Sequence, residues 1–155
     1  MKKENSRRKE IDAILGSKKI ALAGVSRNPQ KFGCLLYKEL KGKGMDILPL
    51  HPELKEYEGV PCYAAPSELP DDVEALITSV KPDKTLSVVQ EAHQKGISKI
   101  WMQQGSQSDD AVSYCEEMGL TYIAGKCVFL YAEPVESVHK VHRFFSRLFG
   151  TYHTA

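Results

Sequence analysis

The sequence is short of the features that announce several common functions. No stretch approaches the ~20 consecutive apolar residues that a membrane-spanning helix needs. The basic opening MKKENSRRKE is followed by no apolar segment of the kind found in secretory signals. Charge of one sign is missing as well. Twenty-one lysines and arginines stand against 20 aspartates and glutamates, a formal net charge of +1, so no overall field points to nucleic acid or to a membrane surface. The four cysteines, Cys34, Cys62, Cys115 and Cys127, include no CxxC pair, which removes the main support for a zinc ribbon or a thioredoxin-like redox site. Their expected state is reduced and mostly buried. There is no GxSxG elbow and no Walker A loop, because Gly16-Ser17-Lys18 lacks the earlier glycine and precedes a strand. These absences predict a cytoplasmic chain. Its 155 residues suffice for a core and predict one domain over 1–155.

What is present is alternation. Ile11, Ile14 and Leu15 give one edge to a leading helix over 1–16, with Gly16 as a left-handed cap. A strand follows at Lys19–Gly24, then a helix with Phe32, Leu35, Leu36 and Leu40 at helical spacing, closed by Gly42 and Gly44. Met45–Leu50 is the second strand, stopped by His51-Pro52, and Glu53–Pro70 reads as a loop with one short turn or extended piece. The third strand, Val73–Val80, is apolar enough to be covered on both faces. Lys81-Pro82-Asp83 opens a helix carrying Leu86, Val89 and Ala92. Ile97–Met102 is the fourth strand, and Ala111, Cys115 and Met118 stripe the next helix. Leu120–Ala124 is the fifth strand, and Val138, Val141, Phe145 and Leu148 mark a C-terminal amphipathic helix over 134–149. Right-handed crossovers turn this pattern into a Rossmann-like, doubly wound parallel α/β sheet of about five strands in three α/β/α layers, with expected order 3-2-1-4-5.

The most informative stretch is Lys19–Gly33, where an apolar strand ends in Gly24, passes a tight polar turn and enters a helix. The first amides of such a helix have no internal acceptors, and its dipole favours negative charge. Ser26, Arg27 and Lys31 exceed what a structural turn requires and point to a phosphate-bearing cofactor. The turn is not a nicotinamide fingerprint, because Gly24-Val25-Ser26-Arg27-Asn28-Pro29 lacks the further glycines of GxGxxG. Nor does the second strand end in the acidic residue that would hold a ribose about 20 positions after the turn. His51 stands there, followed by Pro52.

Other candidates are weaker. His139 and His142, at i, i+3 on the last helix, could share a metal, but no third ligand is evident and His142 falls in line with Val138 and Phe145. Glu133 and Glu136 flank a helix start, where acidic residues are favoured in any case. The basic clusters Arg7-Arg8-Lys9 and 139–147 lack interleaved exposed aromatics and read as solvated helix faces. No catalytic nucleophile, base or metal set is legible.

Four short motifs fall in order at successive strand ends: G24-x-S26-x-x-P29, H51-P52, V80-K81-P82 and W101-x-Q103-x-G105. Together they resemble the CoA-binding domain family, which is similar to the N-terminal domain of the succinyl-CoA synthetase α subunit. The resemblance runs from about Ile20 to Cys127. It implies a domain that holds coenzyme A across its strand ends without the ligase domains needed for chemistry. It carries Gly24, Val25, Ser26, Arg27, Lys31 and Phe32 to the phosphate-binding turn. His51, Pro52, Val80, Lys81 and Pro82 would flank the nucleotide, and Gln103 would face the crevice. Two departures stand out: His51 replaces the asparagine usual before that proline, and Gly125-Lys126 replaces an aspartate-containing approach to Cys127. Cys127 reads either as a buried structural thiol or as a thiol at the crevice edge within reach of the pantetheine arm.

The expectation is a noncatalytic module that binds coenzyme A or an acyl-CoA, with neither nucleic acid nor membrane as partner and any protein partner left open. The alternatives are an NAD(P)-binding oxidoreductase on the same fold and an interaction domain with a vestigial nucleotide pocket.

Overall fold

A computed structural model describes residues 2–132. The expected C-terminal helix over 134–149, with Glu133, Glu136, His139 and His142, lies outside the described residues. The elements are α1 (Lys2–Leu15), β1 (Lys19–Ala23), α2 (Phe32–Gly42), β2 (Asp46–Leu50), β3 (Glu56–Tyr57), β4 (Val60–Pro61), β5 (Ala75–Thr78), α3 (Pro82–Gln94), β6 (Lys99–Gln103), α4 (Asp109–Glu117) and β7 (Thr121–Lys126). Short 3-10 turns occupy Pro66–Glu68 and Val128–Leu130. No helix among the described residues is long and apolar enough to cross a membrane.

Five strands form one Rossmann-like parallel sheet in the order β2-β1-β5-β6-β7. The expected order is therefore wrong in one respect: the third of these strands, β5, does not lie outside β2 but pairs with the other side of β1, Ile20 opposite Ala75 and Ala23 opposite Thr78. The handedness of crossovers ties this order to the face that the connection covers. A right-handed step from β1 to β2 places α2 on one face, and a return to the far side of β1 must pass over the opposite face. The connection over 51–74 does so, burying Leu69 and Val73 with Ala21 and Ala23, among the residues of α3 and α4. It carries no α-helix, only the β3–β4 hairpin and one 3-10 turn. Near its middle it adds to the edge of β2, where His51 N–H donates to the Tyr63 carbonyl at 2.9 Å and Tyr63 N–H to that of Pro49 at 3.0 Å.

Strand pleating sorts the core into two layers. Ile20 and Leu22 of β1 join Ile14 of α1, Leu36 and Leu40 of α2, Ile47, Trp101 and Phe129 on the first face. Ala21 and Ala23 join Leu76, Val89, Ala92, Ile100, Met102, Ala111 and Cys115 on the second. β5 is buried along its whole length, as an inner parallel strand covered on both faces must be. Each large apolar side chain so enclosed contributes about 1.5–3 kcal/mol. All four cysteines are buried and none forms a disulfide.

Two local expectations fail. Gly16 does not adopt a left-handed cap. It is needed because a Cβ there would sit 2.8 Å from the Asp12 carbonyl oxygen. Met118 does not continue the stripe of Ala111 and Cys115, because α4 ends at Glu117 and leaves Met118 half exposed.

Candidate functional site

The carboxyl ends of β1, β2 and β5 open into a cleft of about 690 Å³, the place where open α/β sheets take ligands. A smaller hollow of about 460 Å³ lies between α1, α4 and the side of β7, away from these strand ends. Ten of the twelve residues expected at the site line the cleft. Gly24, Val25, Ser26, Lys31 and Phe32 come from the turn after β1; His51 and Pro52 follow β2; Val80, Lys81 and Pro82 follow β5.

The turn after β1 is set by two glycines. Gly24 has φ +144°, and a Cβ there would lie 2.6 Å from the Ser79 carbonyl oxygen. A Cβ on Gly33 would lie 2.0 Å from the carbonyl oxygen of Gly24. The end of β1 thus meets the start of α2 and the end of β5 backbone to backbone. Cys34 pins the turn from beneath: its sulfur accepts from Ser26 N–H at 3.2 Å and lies 3.3 Å from the Ser26 carbonyl oxygen. The Ser26 hydroxyl accepts from Asn28 N–H at 3.1 Å, which leaves its own proton to donate outward. Phe32 packs edge-on against Phe129, ring centroids 5.7 Å apart.

Two helices begin at this cleft, and both lead with lysine. Lys31 is the N-cap of α2 and Lys81 the N-cap of α3, and neither N-terminus carries a side-chain capping bond. α4, which begins elsewhere, is capped by Ser108, whose hydroxyl accepts from Ala111 N–H at 3.2 Å, and has Asp109 and Asp110 in its first turn. Beneath α3 lies a buried hydroxyl cluster. Ser106 Oγ donates to Thr78 Oγ1 at 2.9 Å and accepts from Val80 N–H at 3.2 Å, while Thr85 Oγ1 donates to the Ser106 carbonyl. It fixes the β5 end and the α3 start to the loop after β6.

The wall beyond β2 is held by its own histidine. His51 Nδ1 accepts from Glu53 N–H at 3.0 Å and from Leu54 N–H at 3.2 Å, folding the chain back toward the hairpin.

Arg27 and Gln103 are the two expected residues that do not line the cleft. Arg27 stands at the rim, its guanidinium 3.1 Å from the Glu53 carboxylate, with both side chains about two-thirds exposed (67% and 66%). Gln103 does not face the crevice: it is buried, and its Oε1 accepts from Val128 N–H at 3.0 Å. Gly105 takes the cleft position after that strand. Cys127 is likewise buried in the first-face core and not among the cleft residues, and burial pushes its thiol above the ordinary range. Gly33, Ser79, Lys84, Ser87, Val88 and the loop residues Ala64 and Pro66 also line the cleft and stand outside the site expected from the sequence. No group of three metal-ligating side chains is assembled among the described residues.

A family model described as the CoA binding domain matches residues 18–133. The chain is 26% identical over 126 residues to the uncharacterized protein YneT of Bacillus subtilis (strain 168), spanning 81% of this chain and 93% of that protein. It is 29% identical over 88 residues to the ADP-forming acetate–CoA ligase of Methanocaldococcus jannaschii, which is 57% of this chain but 12% of that protein. Among solved structures, a conserved hypothetical protein from Pyrococcus furiosus matches with a TM-score of 0.69 and 40% identity, covering 72% of this chain and 96% of the other. The matched span runs from the foot of β1 past the last turn behind β7, taking in every strand end and both lysine-led helices, and on that ground the chain belongs to the CoA binding domain family.

Proposed function

We propose that the cleft binds coenzyme A or an acyl-CoA, and that the chain works in the cytoplasm as a noncatalytic binding or regulatory module. The observation that carries this reading is the pair of uncapped, lysine-led helix N-termini that open into one cleft. First-turn amides at the positive end of a helix dipole suit phosphate oxygens, and a lysine beside each N-terminus adds a mobile positive charge. Coenzyme A brings a pyrophosphate, a 3′-phosphate, an adenine and a long pantetheine arm. Lys31, Ser26 and the α2 amides would take phosphate, with Arg27 at the rim. Lys81 would serve a second anionic group, while Pro52, Val80 and Pro82 offer flat apolar walls to the adenine. The noncatalytic part rests on the cleft's chemistry, which among the described residues presents donors, cations and apolar walls but no activated nucleophile beside a base. That the matching segment is 12% of a protein named as an acetate–CoA ligase supports a holding role rather than the whole reaction.

Calorimetry with coenzyme A, acetyl-CoA, NAD and NADP tests the reading. Saturable binding of coenzyme A or acetyl-CoA with weaker or no binding of the dinucleotides is expected. Tighter binding of NAD or NADP than of coenzyme A overturns it. Turnover of succinate or acetate with coenzyme A and a nucleoside triphosphate that survives repurification overturns the noncatalytic part.

A further inference from the structure

We infer that His51 is a specificity-determining residue of the cleft, presenting Nε2–H as a donor that selects a phosphorylated ribose over one with free hydroxyls. The inference rests on the coenzyme A reading and deepens it. His51 lies in the cleft wall at the end of β2. Its backbone is fixed by the bond from its N–H to the Tyr63 carbonyl at 2.9 Å. Its ring is fixed by two backbone amides, those of Glu53 and Leu54, at 3.0 Å and 3.2 Å from Nδ1. Amide N–H groups can meet only a lone pair, so Nδ1 is unprotonated and the neutral ring carries its proton on Nε2. Turning the ring over would forfeit both bonds. Nε2 makes no hydrogen bond to the described residues, so any bond from this ring to a ligand runs outward from Nε2–H.

The place gives that donor its meaning. Dinucleotide-binding sheets end their second strand in a carboxylate that accepts from ribose hydroxyls. Here the polarity is inverted, because a donor stands where an acceptor would. The nearby carboxylate, Glu53, is paired with Arg27 at 3.1 Å, which also keeps a guanidinium at the same rim. A phosphate monoester accepts hydrogen bonds at every outward oxygen and carries charge, so it gains more from Nε2–H than a diol does. An asparagine at this position could supply the acceptor for the 53–54 turn through Oδ1. What histidine adds is reach: its donor stands on Nε2, farther into the cleft than the Nδ2 of an asparagine.

Affinities of coenzyme A and 3′-dephospho-coenzyme A, measured for the parent, His51→Asn and His51→Gln, test this. Asparagine keeps an acceptor for the two amides but holds its own N–H groups on Nδ2, near the place of the ring's Cδ2 and short of where Nε2 stood, whereas glutamine places an amide N–H where Nε2 stood. The parent is expected to prefer coenzyme A. His51→Asn should lose about tenfold of that preference, the scale of one charge-assisted hydrogen bond, and His51→Gln should keep most of it. A parent that binds both ligands equally, or a His51→Asn variant with the parent's preference, overturns the inference and leaves the coenzyme A reading standing. A parent that binds neither defeats that reading and the inference with it. Ring nitrogen NMR of the ligand-free parent is an independent check: Nε2 protonated and Nδ1 bare is expected, and the reverse tautomer overturns the assignment even where a variant fails to fold.

Discussion

α4 and the pair α2 and α3 begin in opposite ways. α4 is self-sufficient: Ser108 supplies an acceptor to its first turn, and Asp109 and Asp110 match the sign of its dipole. α2 and α3 have Lys31 and Lys81 at the N-cap, the wrong charge for that end of a helix, and no side chain caps either, although α3 carries Asp83 in its first turn. Stability alone would replace each lysine with serine or aspartate. The division follows the cleft, since the two helices that break the rule are the two that start in it. Where a local rule fails at two convergent places and holds at a third, the failing places are arranged for something outside the fold.

The comparison can be broken or sharpened in several ways. The largest effect is expected from Gly33→Ala. Its Cβ would meet the Gly24 carbonyl oxygen at 2.0 Å, so α2 must move away from β1. A loss of about 3 kcal/mol or more in denaturant unfolding is expected, together with loss of ligand binding. Lys31→Ala and Lys81→Ala come next, each weakening coenzyme A binding by about 1–3 kcal/mol in calorimetry while leaving the melting temperature nearly unchanged. If both variants bind like the parent, the phosphates lie elsewhere and the two helix starts are connections only.

A reciprocal exchange of caps separates stability from binding most sharply. Lys31→Ser should stabilise the fold by about 0.5–1 kcal/mol and weaken coenzyme A binding, whereas Ser108→Ala should cost about 1 kcal/mol of stability and leave binding unchanged. Equal behaviour of the two variants in both measurements would erase the distinction between the helices. Arg27→Ala is expected to change stability by under about 1 kcal/mol, because its exposed pairing with Glu53 is screened by solvent. Its effect on coenzyme A affinity should fall as salt is raised.

Much of this was legible in the sequence because periodicity is a local property. The five long strands and the helices between them follow from apolar spacing and from residues that stop a strand, and ten of the cleft residues from the strand-end motifs that carry the family resemblance. The position of the third of those strands was not legible in the same way. It depends on which face the connection over 51–74 crosses, and that is decided by the burial of Leu69 and Val73 against β1. Gly33 was overlooked because its necessity is a tertiary contact with Gly24, with no glycine-rich motif to mark it. Gln103 could have been placed better. It is two residues past Trp101, so the strand's alternation sends both to the first face, where the Val128 turn covers it. At His51 the sequence shows the absence of a carboxylate and a place in a strand-end motif. Its second role, as the acceptor for two amides of its own loop, needs the fold of 51–54 to be seen.

The hydroxyl cluster of Thr78, Ser106 and Thr85 has a consequence for the entropy of association. Because Val80 N–H is already bonded to Ser106 Oγ, and α3 is tied to the same loop through Thr85, this wall of the cleft is ordered when the chain folds. A ligand arriving there does not have to freeze backbone. The freedom it removes belongs to exposed side chains such as Lys31 and Lys81, at about 0.5–1.5 kcal/mol for each one immobilised. Loosening the cluster, by contrast, would transfer the ordering of a strand end and a helix start from folding to binding, and affinity would fall without the loss of a single contact to the ligand.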